Sequence, residues 1–436
     1  MKKRLFCGFW AAIVASVALG QTGAHSGSIS PYSQYGLGVL ADPSQGFNRG
    51  MGGAGLAMRD GTLVNTLNPA SYSAVDSLTM LFDAGLSLQQ TNFKENGTSV
   101  NGRNADFDYA VGLFRLRRNL GFSFGVLPFS DVGYSYTASS YLNNTIGSIT
   151  ESFTGSGGFH QAFVGAGWRP VKPLSFGFNI AYLWGSYTRS VSSTASTTVN
   201  SLSKIYKASV NSYNLTLGLQ WQQPLGRKDQ LSVGATWGLG HKLGADPTCD
   251  IINLNMSTQV SDTTTFSIDN GLELPMSYGV GLAWTHQQHL TVAADVTMQK
   301  WGSIDFPGYD DNTKRYTLQS GLLTDRTRLA LGADYVPDPN HPTSYFKHVH
   351  FRMGASYATP YYKINGHDGP KELSLSAGIG LPLLSKWNVQ AAMRPVLNIS
   401  AQWVRTSAPD LITDNTFRIN IGLTFNERWF AKWRID

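Results

Sequence analysis

Along most of this chain, every second residue is apolar. The stretch LTVAADVTM at residues 290–298 shows the pattern, and FRINIGLTF at 417–425 repeats it near the end. A period of two puts successive side chains on opposite faces of a β-strand. Its repetition predicts an all-β fold: an antiparallel sheet closed into a transmembrane barrel, with its apolar face toward lipid.

The pattern predicts about fourteen strands, an even number within the range of single-chain bacterial barrels. They span residues 77–91, 104–117, 119–138, 157–169, 173–191, 205–222, 229–243, 273–286, 288–303, 323–336, 346–361, 371–381, 386–404 and 415–432. Residues 249–268 alternate weakly and form either a loop hairpin or an extension of a neighbouring strand. We therefore expect residues 77–436 to form the barrel.

The connections between strands alternate in length. Those after even-numbered strands are short, and those after most odd-numbered strands are longer and rich in Ser, Thr, Asn and Gly. Outer-membrane barrels have short periplasmic turns and long external loops. This predicts that both termini are periplasmic and that residues 140–156, 192–204, 244–272 and 304–322 face outside.

The composition agrees with such a barrel. Only 14% of residues are charged, against about 25% in a typical soluble protein. Residues 1–20 read as a signal peptide, with three basic residues before an apolar core, and its removal lowers a formal net charge of +6. The remaining charge is too small to suggest nucleic acid as a partner.

The inward face of the predicted strands is rich in glycine. Small inward residues allow another part of the protein to contact the wall closely. Residues 21–76 lack the alternation, so we expect them to form an N-terminal hatch, or plug, in the lumen, with one short helix after Thr62.

Several charged residues fall on the inward face or in the hatch, and two interpretations of them stay open. They pair with one another and anchor the hatch, or an arginine holds a ligand carboxylate in an apolar pocket. The residues are Arg49, Arg59, Asp83, Asp295, Arg328, Asp334, Arg352 and Arg418.

The third strand contains Pro128, followed by Ser130, Asp131 and Gly133. Proline removes a hydrogen bond from a strand ladder and belongs at an edge, a bulge or a bend. On the residues alone, these positions fit an ordinary strand end at the outer rim.

Two stretches resemble the FadL family of outer-membrane transporters for hydrophobic compounds, of the FadL/TodX type. They are RGMGGAGLAMRDGTLVNTLNPASY at 49–72 and LELPMSYGVGLAWTHQQHLTVAADVTMQKWGSIDF at 272–306. The resemblance implies fourteen strands and a hatch carrying the motif residues Gly52, Gly53, Asn68, Pro69 and Ala70. SPYSQYGLG and KWRID depart from the proteobacterial pattern, which suggests a divergent, Bacteroidota-type branch.

The resemblance implies passive uptake of hydrophobic small molecules, such as long-chain fatty acids, across the outer membrane of a Gram-negative bacterium. The hatch would move, and the ligand would leave sideways between Pro128 and Gly133 into outer-membrane lipid. The alternative is a structural or shuttle barrel of a type IX-like secretion system that binds secretion or surface protein partners. No catalytic constellation is evident, so we expect neither an enzyme nor a cofactor or metal site.

Overall fold

The computed structural model describes residues 30–76, 79–95, 97–141, 148–195, 200–339, 341, 344–383 and 395–428. The predicted signal peptide lies outside them. Within them, fourteen antiparallel strands form a closed ring, which confirms the prediction. These strands are β1 Thr79–Glu95, β2 Thr98–Arg117, β3 Leu120–Tyr141, β4 Ser148–Val171, β5 Leu174–Ala195, β6 Asn200–Leu225, β7 Asp229–Gly238, β8 Ser277–His286, β9 Leu290–Gln299, β10 Arg326–Tyr335, β11 His350–Ala358, β12 Lys371–Pro382, β13 Val396–Ser407 and β14 Thr413–Arg428.

The ring closes between its first and last strands. β1 pairs with β14 over sixteen residues, from Thr79 opposite Arg428 to Lys94 opposite Thr413. Outward side chains such as Leu86 and Ile421 are apolar and exposed, as expected for a wall in contact with lipid. No helix in the described part of the chain is long and apolar enough to span a membrane.

The strands on one side are longer than the pattern predicts. β3 to β6 have 22 to 26 residues, whereas β7 to β10 have 10 each. About 10 residues suffice to cross a bilayer. The predicted external loops 140–156 and 192–204 are therefore mostly strand: β4 begins at Ser148, and β5 and β6 extend to Ala195 and from Asn200. Cross-strand hydroxyl pairs hold these extensions, for example Ser192 with Ser203 at 2.8 Å.

Residues 249–268 combine both predicted alternatives. Thr248–Asn255 and Val260–Ser267 form a hairpin, and the first of these strands pairs with the outer part of β6, where Thr248 lies opposite Lys207. Another hairpin outside the ring joins Phe306–Asp310 to Arg315–Gln319. Two-residue pairs join His241–Lys242 to Glu273–Leu274 and Lys363–Ile364 to His367–Asp368. Short 3₁₀ turns occupy Trp301–Ser303 and Phe346–His348.

Residues 30–76, called here the lumenal segment, contact the inner wall of the ring. Their elements are the 3₁₀ turn Pro31–Gln34, the strand Val39–Leu40, the helix Gly46–Arg49 and the 3₁₀ turn Pro69–Ala74. The short helix predicted after Thr62 is the six-residue 3₁₀ helix Pro69–Ala74. It does not begin directly at Thr62, because the Thr62 N–H and hydroxyl donate to Asp60 and form a turn. Asn68 itself has an extended backbone, and its side chain accepts the N–H of Ala70 and caps the helical turn that begins at Pro69.

Candidate functional site

A belt of inward glycines surrounds the lumenal segment near the end of the barrel with the short turns. A Cβ at Gly167 would lie 2.7 Å from the Pro69 carbonyl oxygen, and one at Gly378 would lie 3.1 Å from the Cα of Gly50. Only glycine lets these backbones approach so closely. The belt also includes Gly177, Gly218, Gly234, Gly281, Gly332, Gly354 and Gly422.

Arg49 is the centre of a buried polar cluster between the lumenal segment and the wall. Its guanidinium lies 2.6 Å from Asp108 and donates to Asn420 at 2.9 Å. Gln402 donates to the Arg49 carbonyl at 3.2 Å. Because Arg49 and its partners are buried, this cluster fixes the helix Gly46–Arg49 against β2, β13 and β14.

The Gly-rich motif is held on the opposite side. The Asp295 carboxylate accepts the backbone N–H groups of Gly55 and Leu56 at 2.6 and 2.8 Å. Arg328 donates to the Gly52 carbonyl at 3.1 Å, and both Gly52 and Gly53 have positive φ angles, which glycine adopts without strain. Asp295 and Arg328 thus contact the backbone of the lumenal segment.

The motif residues Asn68, Pro69 and Ala70 also contact the wall, through backbone and side-chain amide groups. Asn68 donates to the carbonyls of Leu56 at 2.8 Å and of Leu219 on β6 at 3.1 Å. Its side-chain oxygen accepts the N–H of Ala70, and Pro69 lies against Gly177 and Gly218. Residues 68–70 are therefore a point of attachment to β5 and β6.

The other predicted inward charges pair within the wall, with one exception. Asp83 accepts a hydrogen bond from Tyr109, whose hydroxyl accepts the N–H of Gly46. Arg352 approaches Asp334 at 3.4 Å, and Arg418 donates to Gln89. Arg59 differs, because both its terminal nitrogens are buried without a hydrogen-bond partner among the described residues.

The wall is interrupted beside Pro128. β3 is bulged there, with its pairing to β4 shifting between Pro128 and Ser130. On its other edge, β3 pairs with β2 only up to Val126, opposite Ala110. Residues 98–109 of β2 and 127–141 of β3 share no ladder, and we call this gap the β2–β3 seam. It extends toward the end with the long hairpins.

The lumenal segment covers the seam on the β3 side. Val39 and Leu40 pair with Asp131 and Ser130, and the Ser30 N–H donates to the Gly133 carbonyl at 3.3 Å. The Ser30 hydroxyl donates to Asp414, near the long-hairpin end of β14. The first described residue therefore lies toward the long-hairpin end, and residues 30–41 follow the free edge of β3.

Between the glycine belt and the long-hairpin end, apolar and aromatic side chains fill the interior of the ring. One continuous buried cluster joins the lumenal segment to the inner wall and the long connections. Its members include Leu37, Val132, Phe159, Leu183, Tyr187, Val210, Leu243, Leu272, Trp301, Leu323 and Tyr361. This cluster adjoins the seam through Val132 and Leu37.

Arg189 and Tyr361 hold the tip of the lumenal segment, and the sequence interpretation missed both. Arg189 on β5 is 7% exposed and donates to the Gly36 carbonyl at 2.8 Å. It stacks on Tyr187, but its Nε has no partner and no carboxylate contacts it within the described residues. Tyr361 accepts the Leu37 N–H and donates to the Gly38 carbonyl. Strand alternation alone would have marked Arg189 as inward.

Solved structures of several transporters share this architecture. The CymD monoaromatic hydrocarbon channel superposes with a TM-score of 0.59 at 15% identity, covering 91% of this chain and all of its own. The Ralstonia pickettii toluene transporter TbuX gives 0.58 at 14% identity, covering 87% and 97%. A Pseudomonas aeruginosa FadL homologue gives 0.62 at 11% identity, covering 89% and 99%. The FadL-type fold expected from the sequence is confirmed.

Sequence comparison identifies the family. No curated protein matches the chain significantly. The family model described as BamG matches residues 1–436, the whole length of the chain. The protein is therefore a member of the BamG family, built on the fold of the FadL-type transporters.

Proposed function

We propose that the protein is a passive channel in the outer membrane of a Gram-negative bacterium, through which hydrophobic small molecules leave sideways by the β2–β3 seam. The observation that carries this proposal is that the seam lies beside the apolar lumen and is covered by residues 30–41. Displacing those residues would connect the apolar lumen to lipid. The lumenal segment would then act as the hatch. The monoaromatic hydrocarbon channel CymD and the toluene transporter TbuX, which share the fold, support this use of it.

The hydrogen bonding of Arg189 supports the proposal that the ligand is amphiphilic, such as a long-chain fatty acid. In the closed arrangement its guanidinium donates to a neutral carbonyl, that of Gly36, although a carboxylate is the stronger partner for arginine. A ligand carboxylate would replace Gly36 while its chain lies among the apolar side chains. This exchange would loosen the segment that covers the seam. On this proposal the short turns are periplasmic, as are the start of β1 and the end of β14.

A disulfide across the seam tests the channel. Val39 and Asp131 lie directly opposite each other, so Val39→Cys with Asp131→Cys, in a Cys249→Ala background, should lock the hatch. We expect the oxidised protein to stop importing a fluorescent fatty acid in proteoliposomes and the reduced protein to resume. The control pair is Asn253→Cys with Asp262→Cys in the external hairpin. Undiminished import through the fully crosslinked seam would refute lateral exit.

The unpaired edge of β2 supports a second candidate function, in which the barrel binds a protein partner. Residues 98–109 have no strand neighbour on the seam side in the described chain, and such an edge accepts an added strand. A photo-crosslinking residue at Asn101 should then capture one defined partner in cells, whereas the same residue at lipid-facing Leu375 should not. Capture at neither position would leave no support for this candidate.

A further inference from the structure

A patch of cations lies on the outer face of the wall, at the long-hairpin end of the strands on both sides of the ring closure. It consists of Lys94 on β1, Arg103 on β2, Lys371 on β12 and Arg405 on β13, called here the rim cations. All four are exposed, and none forms a salt bridge within the described residues. The charge of this patch therefore has no acidic partner in the described chain.

The strand ladders fix the direction of the rim cations. Each of them stands an even number of residues from an exposed apolar side chain on its own strand: Leu88 on β1, Phe107 on β2, Leu373 on β12 and Trp403 on β13. From these residues to the rim, the pairing of the four strands with one another and with β14 continues without a register shift. Because evenly spaced side chains share one face of a strand, the rim cations lie directly beyond the lipid-facing band.

Two of the rim cations line one cleft. Lys94 and Arg405 border a cavity of about 440 Å³ between the β1–β2 turn and the β13–β14 connection, a volume within the range of ligand pockets, about 300–1,000 Å³. Its other polar lining residues are Glu95, Asp410, Thr413 and Asn415. Lysine and arginine donate to phosphate oxygens, whereas carboxylates accept hydrogen bonds from hydroxyl groups. The lining therefore matches a headgroup that carries both phosphate and hydroxyl groups.

Lysines on the opposite side of the ring differ from the rim cations. Lys207, on the outer face of β6 at the same end, lies 2.9 Å from the Asp250 carboxylate. Lys204, on the same strand, lies 2.6 Å from Asp311. The absence of such partners around Lys94 and Arg405 is thus a property of the strands beside the closure and does not extend to every long strand.

We propose that the rim cations bind a phosphorylated glycolipid of the external leaflet, with its phosphate on Lys94 and Arg405. Basic side chains next to a membrane surface attract anionic lipids, and the acyl chains would continue along exposed Trp403 and Phe417. The glycolipid with this chemistry in a Gram-negative outer membrane is lipid A, an acylated sugar that carries phosphate. The assignment rests on the proposed function for its orientation, in which the long-hairpin end faces outside.

A lipid in this cleft would connect the two ends of the ring. Lys94 lies opposite Thr413 at the end of the β1–β14 pairing, and both residues line the cleft together with Arg405 of β13. A bound headgroup would therefore contact the first strand and the last two strands at once. Because it would bind only the closed ring, it would stabilise the closure by linkage.

Native mass spectrometry of the full chain in detergent, with lipid A added at increasing concentration, tests the site. We expect saturable binding to the parent, and binding about tenfold weaker when Lys94→Gln and Arg405→Gln are combined, because each cation near a lipid headgroup contributes to the attraction. Lys207→Gln is the matched control, since that outward lysine is already paired with Asp250, and it should bind lipid A as the parent does. Heat-modifiable migration on gels confirms that both variants are folded.

Two further lipids separate phosphate from sugar. Lipid A without its phosphates should bind the parent about as weakly as lipid A binds the double variant. Phosphatidic acid, which has a phosphate but no sugar, should also bind more weakly than lipid A. The proposal is overturned if the double variant binds lipid A as tightly as the parent, if removing the phosphates has no effect, or if phosphatidic acid binds as tightly as lipid A. None of these measurements involves import, so a failure of the channel proposal would leave them unchanged.

Discussion

The guanidinium of Arg49 lies 2.6 Å from the carboxylate of Asp108, and both side chains are buried between the lumenal segment and β2. Breaking one side of a buried ion pair typically costs about 3–5 kcal/mol, because the other charge remains uncompensated. We therefore expect Asp108→Asn to loosen the lumenal segment without unfolding the ring. The measurement is single-channel conductance in planar bilayers, which should rise, with heat-modifiable migration on gels as the folding check.

The control for this prediction is Asp250→Asn. Asp250 pairs with Lys207 at 2.9 Å, but that lysine side chain is 51% exposed, and exposed pairs contribute about 0–1 kcal/mol. The conductance of Asp250→Asn should match that of the parent. Equal conductance for Asp108→Asn and the parent would show that the buried pair does not seat the lumenal segment.

The close contacts of the glycine belt predict that a larger side chain at one of these positions displaces the lumenal segment. A side chain at Gly354 would collide with the backbone of Met51 and Gly52, so we expect Gly354→Asn to displace the lumenal segment and increase its cleavage by added protease. Gly226→Asn is the matched control, because that glycine has open space around it and a positive φ that Asn tolerates. Equal protection of both variants would contradict the close contact.

The hydrogen bonds of the Tyr361 hydroxyl predict an effect on the import rate that is separate from the packing of its ring. Tyr361→Phe keeps the ring against Trp301, at 4.8 Å between centroids, but loses the hydrogen bonds to Leu37 and Gly38. We expect faster fatty-acid import in proteoliposomes, because the tip of the lumenal segment is released more easily. Tyr362→Phe is the control, since Tyr362 contributes ring stacking on Tyr35. If the two variants import at the same rate, the Tyr361 hydroxyl does not hold the tip.

The charge of Asp42 predicts how protease protection of the lumenal segment depends on pH. Burial alone would raise the pKa of Asp42, but the charges of Arg328 and Arg49 lower it well below its ordinary value of 3.8. Its stabilising contribution is therefore fully present above about pH 4 and is lost only as the pH falls through the lowered pKa. Protease protection of the lumenal segment should stay constant between pH 7 and 5. Asp42→Asn should reduce protection across that range, and protection lost by the parent at pH 5, but not by this variant, would reverse the assignment.

Local alternation predicted the barrel, the strand number and the inward position of Asp295, Arg328 and Arg352, because side-chain direction in a strand depends only on residue parity. Parity fails where a ladder shifts. The bulge at Gly85/Leu86 between β1 and β2 leaves Asp108 outside the regular alternation, so the partner of Arg49 was not foreseen. The extensions of β3 to β6 at the long-hairpin end were also missed, because strand segments outside the bilayer need no apolar face.

The sequence by itself determined which face of each strand meets lipid, since that choice is made by neighbouring residues. Only the tertiary structure decided which inward groups have partners. Arg49 meets Asn420 across 371 positions of sequence, and Arg189 meets a carbonyl instead of a carboxylate. The two terminal nitrogens of Arg59 meet no hydrogen-bond partner in the described chain. It also decided that β2 and β3 separate beyond Ala110 and Val126. A strand edge is open or covered according to what chain folding brings beside it, and here that is residues 30–41.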